Sequence, residues 1–180
     1  LLFNALPIMY DQYWFFTCYF VLMVIAPFLN RFINTMEQKD FKRCLLIVLS
    51  LFVLVPSINI FGDSFDSSKG YSTVWFIVLY LVAAYLRRYP FSKKPYGVLY
   101  IATSIVSVLA HTLLDVLSGY LPLFSQARDI LLRYNCITTF IASVCLFLFF
   151  LNHPIKTKKA PGKLVTQIAT ASFTVYLIHE

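Results

Sequence analysis

Residues 13–33, YWFFTCYFVLMVIAPFLNRFI, decide how this chain is built. From Trp14 to Leu29 no side chain is charged; Tyr13 and Trp14 open the run and Arg31 closes it. At about 1.5 Å per residue, a helix of this length reaches roughly 31 Å, the thickness of a bilayer's hydrocarbon core. A helix bonds its backbone with its own atoms, which that medium requires. Apolar residues go all the way round and leave no polar face, unlike a surface helix of a soluble domain. A core helix of a large soluble protein is the alternative, and the recurrence of such runs down the chain disfavours it. The sequence is that of a membrane protein.

Working outward, similar runs recur at about 44–61, 71–86, 96–117, 130–151 and 164–180, which predicts an all-α polytopic transmembrane helix bundle of about six spans in a single domain covering residues 1–180. Pro27 and Pro56 fall inside spans, where a kink is expected. GDSFDSSKG and SGYLPLFSQARD read as loops from their turn residues, the second with room for an interfacial turn. The chain opens on Leu1 and closes on Glu180 within an apolar run, so it reads as an internal portion of a longer protein.

Composition agrees: 59% of residues are hydrophobic, 18% aromatic and 13% charged, with a mean hydropathy of +0.74. Soluble domains carry about 25% charged residues. The net charge of +7 raises nucleic acid as a partner, but the basic residues sit in short loops between apolar runs, which is a topology signal instead. Cys18, Cys44, Cys136 and Cys145 form no CxxC pair and no metal-ligand spacing, so they read as small buried residues and no metal is expected.

The charges also orient the spans. Arg31, Lys39, Lys42, Arg43, Arg87, Arg88, Lys93, Lys94, Lys156, Lys158, Lys159 and Lys163 lie on one side, and Lys69, Arg128 and Arg133 on the other. Short cytoplasmic loops carry the excess of Lys and Arg. Loops 31–43, 87–95 and 152–163 are therefore expected in the cytoplasm, and 62–70 and 118–129 outside. Anionic lipid at the membrane surface is a sufficient partner for those basic loops.

This topology gathers several polar groups at one depth. His111 and Asp115 share a face of the fourth span at i and i+4. Arg133 is expected in the first turn of the fifth span at the same level, and His179 and Glu180 end the sixth. Ionisable residues within a membrane mark a site or pathway by default, and a histidine there can act as acid or base. A satisfied His111–Asp115 pair and a snorkelling Arg133 are the structural alternatives.

The opening YWFFTCYFVLMVIAPFLNRFI, the later WFIVLYLVAAYLRRY with YPFSKK, and the tail SFTVYLIHE resemble the membrane acyltransferase family 3 over nearly all of the chain. That resemblance implies a protein of about ten spans in the bacterial cytoplasmic membrane. It also implies O-acylation, often O-acetylation, of surface sugars or exopolysaccharide, with acyl-CoA (acetyl-CoA) as donor substrate, no bound cofactor, and a carbohydrate acceptor as partner. By resemblance, Ser172, Tyr176 and His179 match a late Ser-x-x-x-Tyr-x-x-His pattern that helps shape the site, with His179 the candidate base. His111, Asp115 and Arg133 are candidate substrate-binding groups. Trp14 and Asn30 match an aromatic start and a Pro-x-x-Asn close with a role in packing. The family's proposed catalytic histidine, in an early span after a basic residue, has no counterpart here, so these 180 residues alone are expected not to transfer acyl groups. The rival class is a transporter or flippase for a lipid-linked sugar, using the same polar groups as a relay.

The orientation is testable. In a background without native cysteines, Ser67→Cys should react with an impermeant thiol reagent on intact cells and Thr157→Cys should not. Equal labelling of the two sites refutes the assigned sidedness.

Overall fold

The computed structural model describes residues 14–58, 68–91, 94–153 and 160–178, and every regular element among them is helical. Seven helices follow in order: α1 Trp14–Thr35, α2 Gln38–Ile58, α3 Thr73–Arg88, α4 Tyr96–Ser118, α5 Pro122–Leu131, α6 Ile137–Asn152 and α7 Ala160–Ile178. α1, α2 and α4 are each long and apolar enough to cross a membrane. With 16 residues apiece, α3 and α6 reach about 24 Å.

Several boundaries differ from the sequence reading. The basic segment expected as a loop over 31–43 is almost wholly helical, because α1 continues to Thr35 and α2 begins at Gln38. Only Met36 and Glu37 separate the two helices. The run taken as one span from 130 to 151 is divided: α5 ends at Leu131, residues 132–136 form a turn, and α6 starts at Ile137. The expected loop before it is largely α5, begun by Pro122 at a first-turn position where the missing N–H costs nothing.

The two prolines act differently. α1 runs through Pro27 with no break in its helical assignment. In α2 the chain ahead of Pro56 winds as a π-turn over Ser50–Leu54, with Val55 N–H bonding Ser50 C=O. Proline takes one donor out of the ladder, and a π-turn is a common way for a helix to absorb the mismatch.

Packing follows from which faces lack polar groups. α1 lies against α3, where Tyr80 donates to Asn30 Oδ1 at 2.8 Å. α2 also packs on α3, and α4 packs on α6 and α5. Gly97 permits the approach of α4 to α6: a Cβ there would stand 3.2 Å from the Phe149 ring. The main core comprises Ile33, Phe41, Leu45, Leu81, Val82, Tyr85, Leu86, Tyr96 and Leu148, and a smaller one Val53, Trp75 and Val78. The outward face of α4 (Val98, Ile105, Val108, Leu109, Leu113, Val116) is exposed, as suits contact with hydrocarbon.

The bundle has two chemically distinct ends. One collects Ile33, Phe41, Tyr85, Arg88 and Tyr96; there Arg88 Nη1 donates to Ile33 C=O at 2.9 Å, and Arg31, Lys39, Lys42, Arg43, Arg87 and Lys94 are exposed. The other collects Trp14, Tyr71 and Tyr134 with the turns that carry them. We call these the basic end and the aromatic end.

At the aromatic end one hydroxyl joins two helices. Ser57 Oγ accepts from Ile137 N–H at 2.8 Å and donates to Val53 C=O at 2.6 Å. The N-cap of α6 is Cys136, which makes no side-chain cap bond, so Ser57 supplies the cap from α2. Ser57→Ala should destabilise the detergent-solubilised protein by about 1–2 kcal/mol in thermal unfolding, the usual cost of losing such a cap. Ser50→Ala, whose hydroxyl bonds Leu46 C=O within its own helix, should cost markedly less. Equal losses refute the capping role.

Candidate functional site

The aromatic end is built on a close backbone approach. Lys69 and Gly70 both take positive φ, 57° and 95°, so the chain before α3 turns sharply there. A Cβ on Gly70 would stand 2.6 Å from Tyr134 Cβ and 3.1 Å from Asn135 N, which leaves room for glycine alone. Tyr134 N–H then donates to Lys69 C=O at 3.0 Å, fixing the 132–136 turn against the turn before α3.

Aromatic rings pack over this junction. Trp14 meets Tyr71 edge-on at 4.6 Å between centroids, and Tyr71 meets Tyr134 at 4.8 Å. Phe15 and Phe76 extend the cluster.

The candidate polar residues do not form one cluster. Arg133 is buried in the 132–136 turn, 8% exposed, and its Nη1 donates to Pro56 C=O at 3.4 Å. The first-turn, interface-reaching position expected for it is thus replaced by an inward one, because α6 begins four residues later. Beside it Asn135 is fully buried. Asp115 bonds Arg128 of α5, Nη1 to Oδ1 at 2.6 Å, in place of the expected His111 partner. Arg128 also reaches Asp129 at 3.1 Å, and its pKa is raised first by the Asp115 bond and then by that to Asp129. His111 is half-buried on α4, one turn before Asp115.

In α7, Ser172 donates to Ile168 C=O at 2.7 Å. Tyr176 belongs to the same helix, one turn on. The side chain of Tyr176 and all of Tyr13, His179 and Glu180 lie outside the described residues. Trp14 and Asn30 both hold α1 in place, the first in the ring cluster and the second through Tyr80.

The basic end holds a feature the sequence reading missed. A cleft of about 490 Å³ opens there between α2 and α3 and reaches α6. Its walls come from two matched series, Lys42, Leu45, Leu46 and Leu49 on α2 and Val82, Tyr85, Leu86 and Tyr89 at the end of α3. Each repeats at 0, 3, 4 and 7, the spacing of one helix face. That periodicity was the available signal. It does not by itself say that the two faces, which meet at Phe41 and Tyr85, leave an open cleft beside that contact.

A family model described as an acyltransferase domain matches residues 2–180. No curated protein matches the chain, and no solved structure does.

Burial separates the two arginines. Arg133→Ala should lower stability by about 1.5–3 kcal/mol, the range for a hydrogen bond to a charged donor. Arg128→Ala, at the surface, should shift the melting temperature much less, because water and salt already screen its pairs. Thermal unfolding of both purified variants decides it, and a larger loss at Arg128 refutes the assignment.

Proposed function

Since the chain belongs to the acyltransferase family whose domain model spans residues 2–180, we propose that it serves O-acylation of a cell-surface or exported carbohydrate within a multi-pass bacterial plasma-membrane enzyme, with acyl-CoA, chiefly acetyl-CoA, as donor. The match over nearly the whole chain carries this reading. Its membrane character rests on three helices of spanning length.

In the proposed reaction a sugar hydroxyl attacks the thioester carbonyl of the donor. A base takes the hydroxyl proton, the new ester C–O bond forms, the C–S bond breaks, and CoA leaves as the thiol. A sugar hydroxyl is a poor nucleophile at neutral pH, so a positioned base is worth about 10²–10⁴ in rate. His179 is our candidate for that base, with Tyr176 three and Ser172 seven residues before it in the sequence, a spacing that suits one helix face. Hydrogen-bond donors aimed at the developing oxyanion lower the barrier further.

The two-ended bundle suits such a transfer. Exposed Lys and Arg at the basic end favour the approach of a phosphate-bearing donor. Polar and aromatic groups at the opposite end suit a hydroxyl-rich acceptor. His111, Asp115 and Arg133 belong to that second region as candidate binding or supporting groups.

In the full-length protein, His179→Ala should reduce transfer of label from radiolabelled acetyl-CoA to a lipid-linked sugar by about 10²–10⁴ at unchanged membrane levels. His111→Ala should reduce it less. Full activity in His179→Ala removes His179 as the base.

A further inference from the structure

We infer that the cleft between α2, α3 and α6 at the basic end is a binding site for one anionic phospholipid, its phosphate on Lys42 and an acyl chain between the helices. This goes beyond the acyl transfer proposed above and does not depend on it.

The cleft's two parts differ in chemistry along its length. Gln38 and Lys42 line one part, and among the described lining residues Lys42 is the sole charged group. The nearby Arg43 is turned to Asp40, 3.5 Å away, whereas Lys42 is exposed and pairs with no carboxylate among the described residues. The remaining wall is apolar, with Leu45, Leu49, Val82, Phe140 and Val144. A second hollow of about 220 Å³ shares Val82, Leu86 and Val144 and continues that wall past Ala83 and Phe147.

An empty space of this kind is not stable within a bilayer. Its lining forfeits dispersion contacts on one side, and water entering it would find few polar partners. Hydrocarbon is the solvent at hand, so an acyl chain fills it without desolvation cost. Basic pockets at the ends of transmembrane helices attract anionic headgroups. Tyr89 and Phe91 line the same cleft as Lys42, and aromatic side chains are favoured beside lipid headgroups. A donor with a short acyl group and a large polyanionic head would leave the apolar wall uncovered.

The test is native mass spectrometry of the full-length protein in neutral detergent, titrated with phosphatidylglycerol or with phosphatidylcholine of the same chains. One phosphatidylglycerol should be retained per chain, about tenfold more tightly than phosphatidylcholine. Lys42→Glu should abolish that preference, while Lys39→Glu, which does not line the cleft, should leave it. Leu46→Trp, placing a ring in the cleft from an exposed position, should lower retention of both lipids. Thermal unfolding of each variant reports whether it is folded, and if Leu46→Trp is not, Lys42→Glu against Lys39→Glu decides alone. Equal retention of the two lipids overturns the proposal, as does an equal effect of the two lysine variants. Displacement of phosphatidylglycerol by equimolar acetyl-CoA also overturns it, since the cleft would then belong to the donor.

Discussion

Ser57 stands where two helices meet their hardest requirement, a partner for every backbone group where water is scarce. Its hydroxyl caps the first N–H of α6 and bonds the carbonyl one turn back in its own helix. Next to it Pro56 C=O accepts from Arg133. An unsatisfied amide in hydrocarbon costs several kcal/mol, more than most packing contacts return. The start of α6, the end of α2 and the 132–136 turn are therefore placed together or not at all.

That constraint explains why the aromatic end is dense in unusual geometry. The π-turn before Pro56, the left-handed Lys69 and Gly70, and the buried Arg133 and Asn135 occupy one neighbourhood. The rings of Trp14, Tyr71 and Tyr134 then close over the junction. The basic end is held otherwise, by a hydrophobic core and by Arg88 reaching the last turns of α1. Its charged side chains remain exposed, and the cleft opens beside the contact of α2 with α3.

The polar residues show how far a linear reading goes. His111 and Asp115 do share a helix face, as their spacing requires. What the spacing omits is competition from α5, which turns back at Gly119 and Pro122 and brings Arg128 to the carboxylate 13 residues away. Arg133 likewise reads as interfacial when the apolar run from 130 is taken as one helix. The sequence 132–136, LRYNC, holds no proline or glycine to mark a break. The turn exists because Lys69 C=O and Ser57 Oγ take the amides that a continuous helix would have used. Those partners lie far away in the chain, so no local signal announces them.

Hydropathy alone determined the class of this protein. Long uncharged runs can satisfy their backbone in a bilayer only as helices, and every regular element among the described residues is helical. The ordered aromatic motifs were also enough to point to the acyltransferase family that matches the chain. Tertiary structure alone decided where α5 separates from α6, which cation Asp115 holds, which hydroxyl caps α6, and that a cleft opens between two regular helix faces. These outcomes depend on backbone groups and side chains distant in sequence competing for the same partners. That competition is settled only when the helices are side by side.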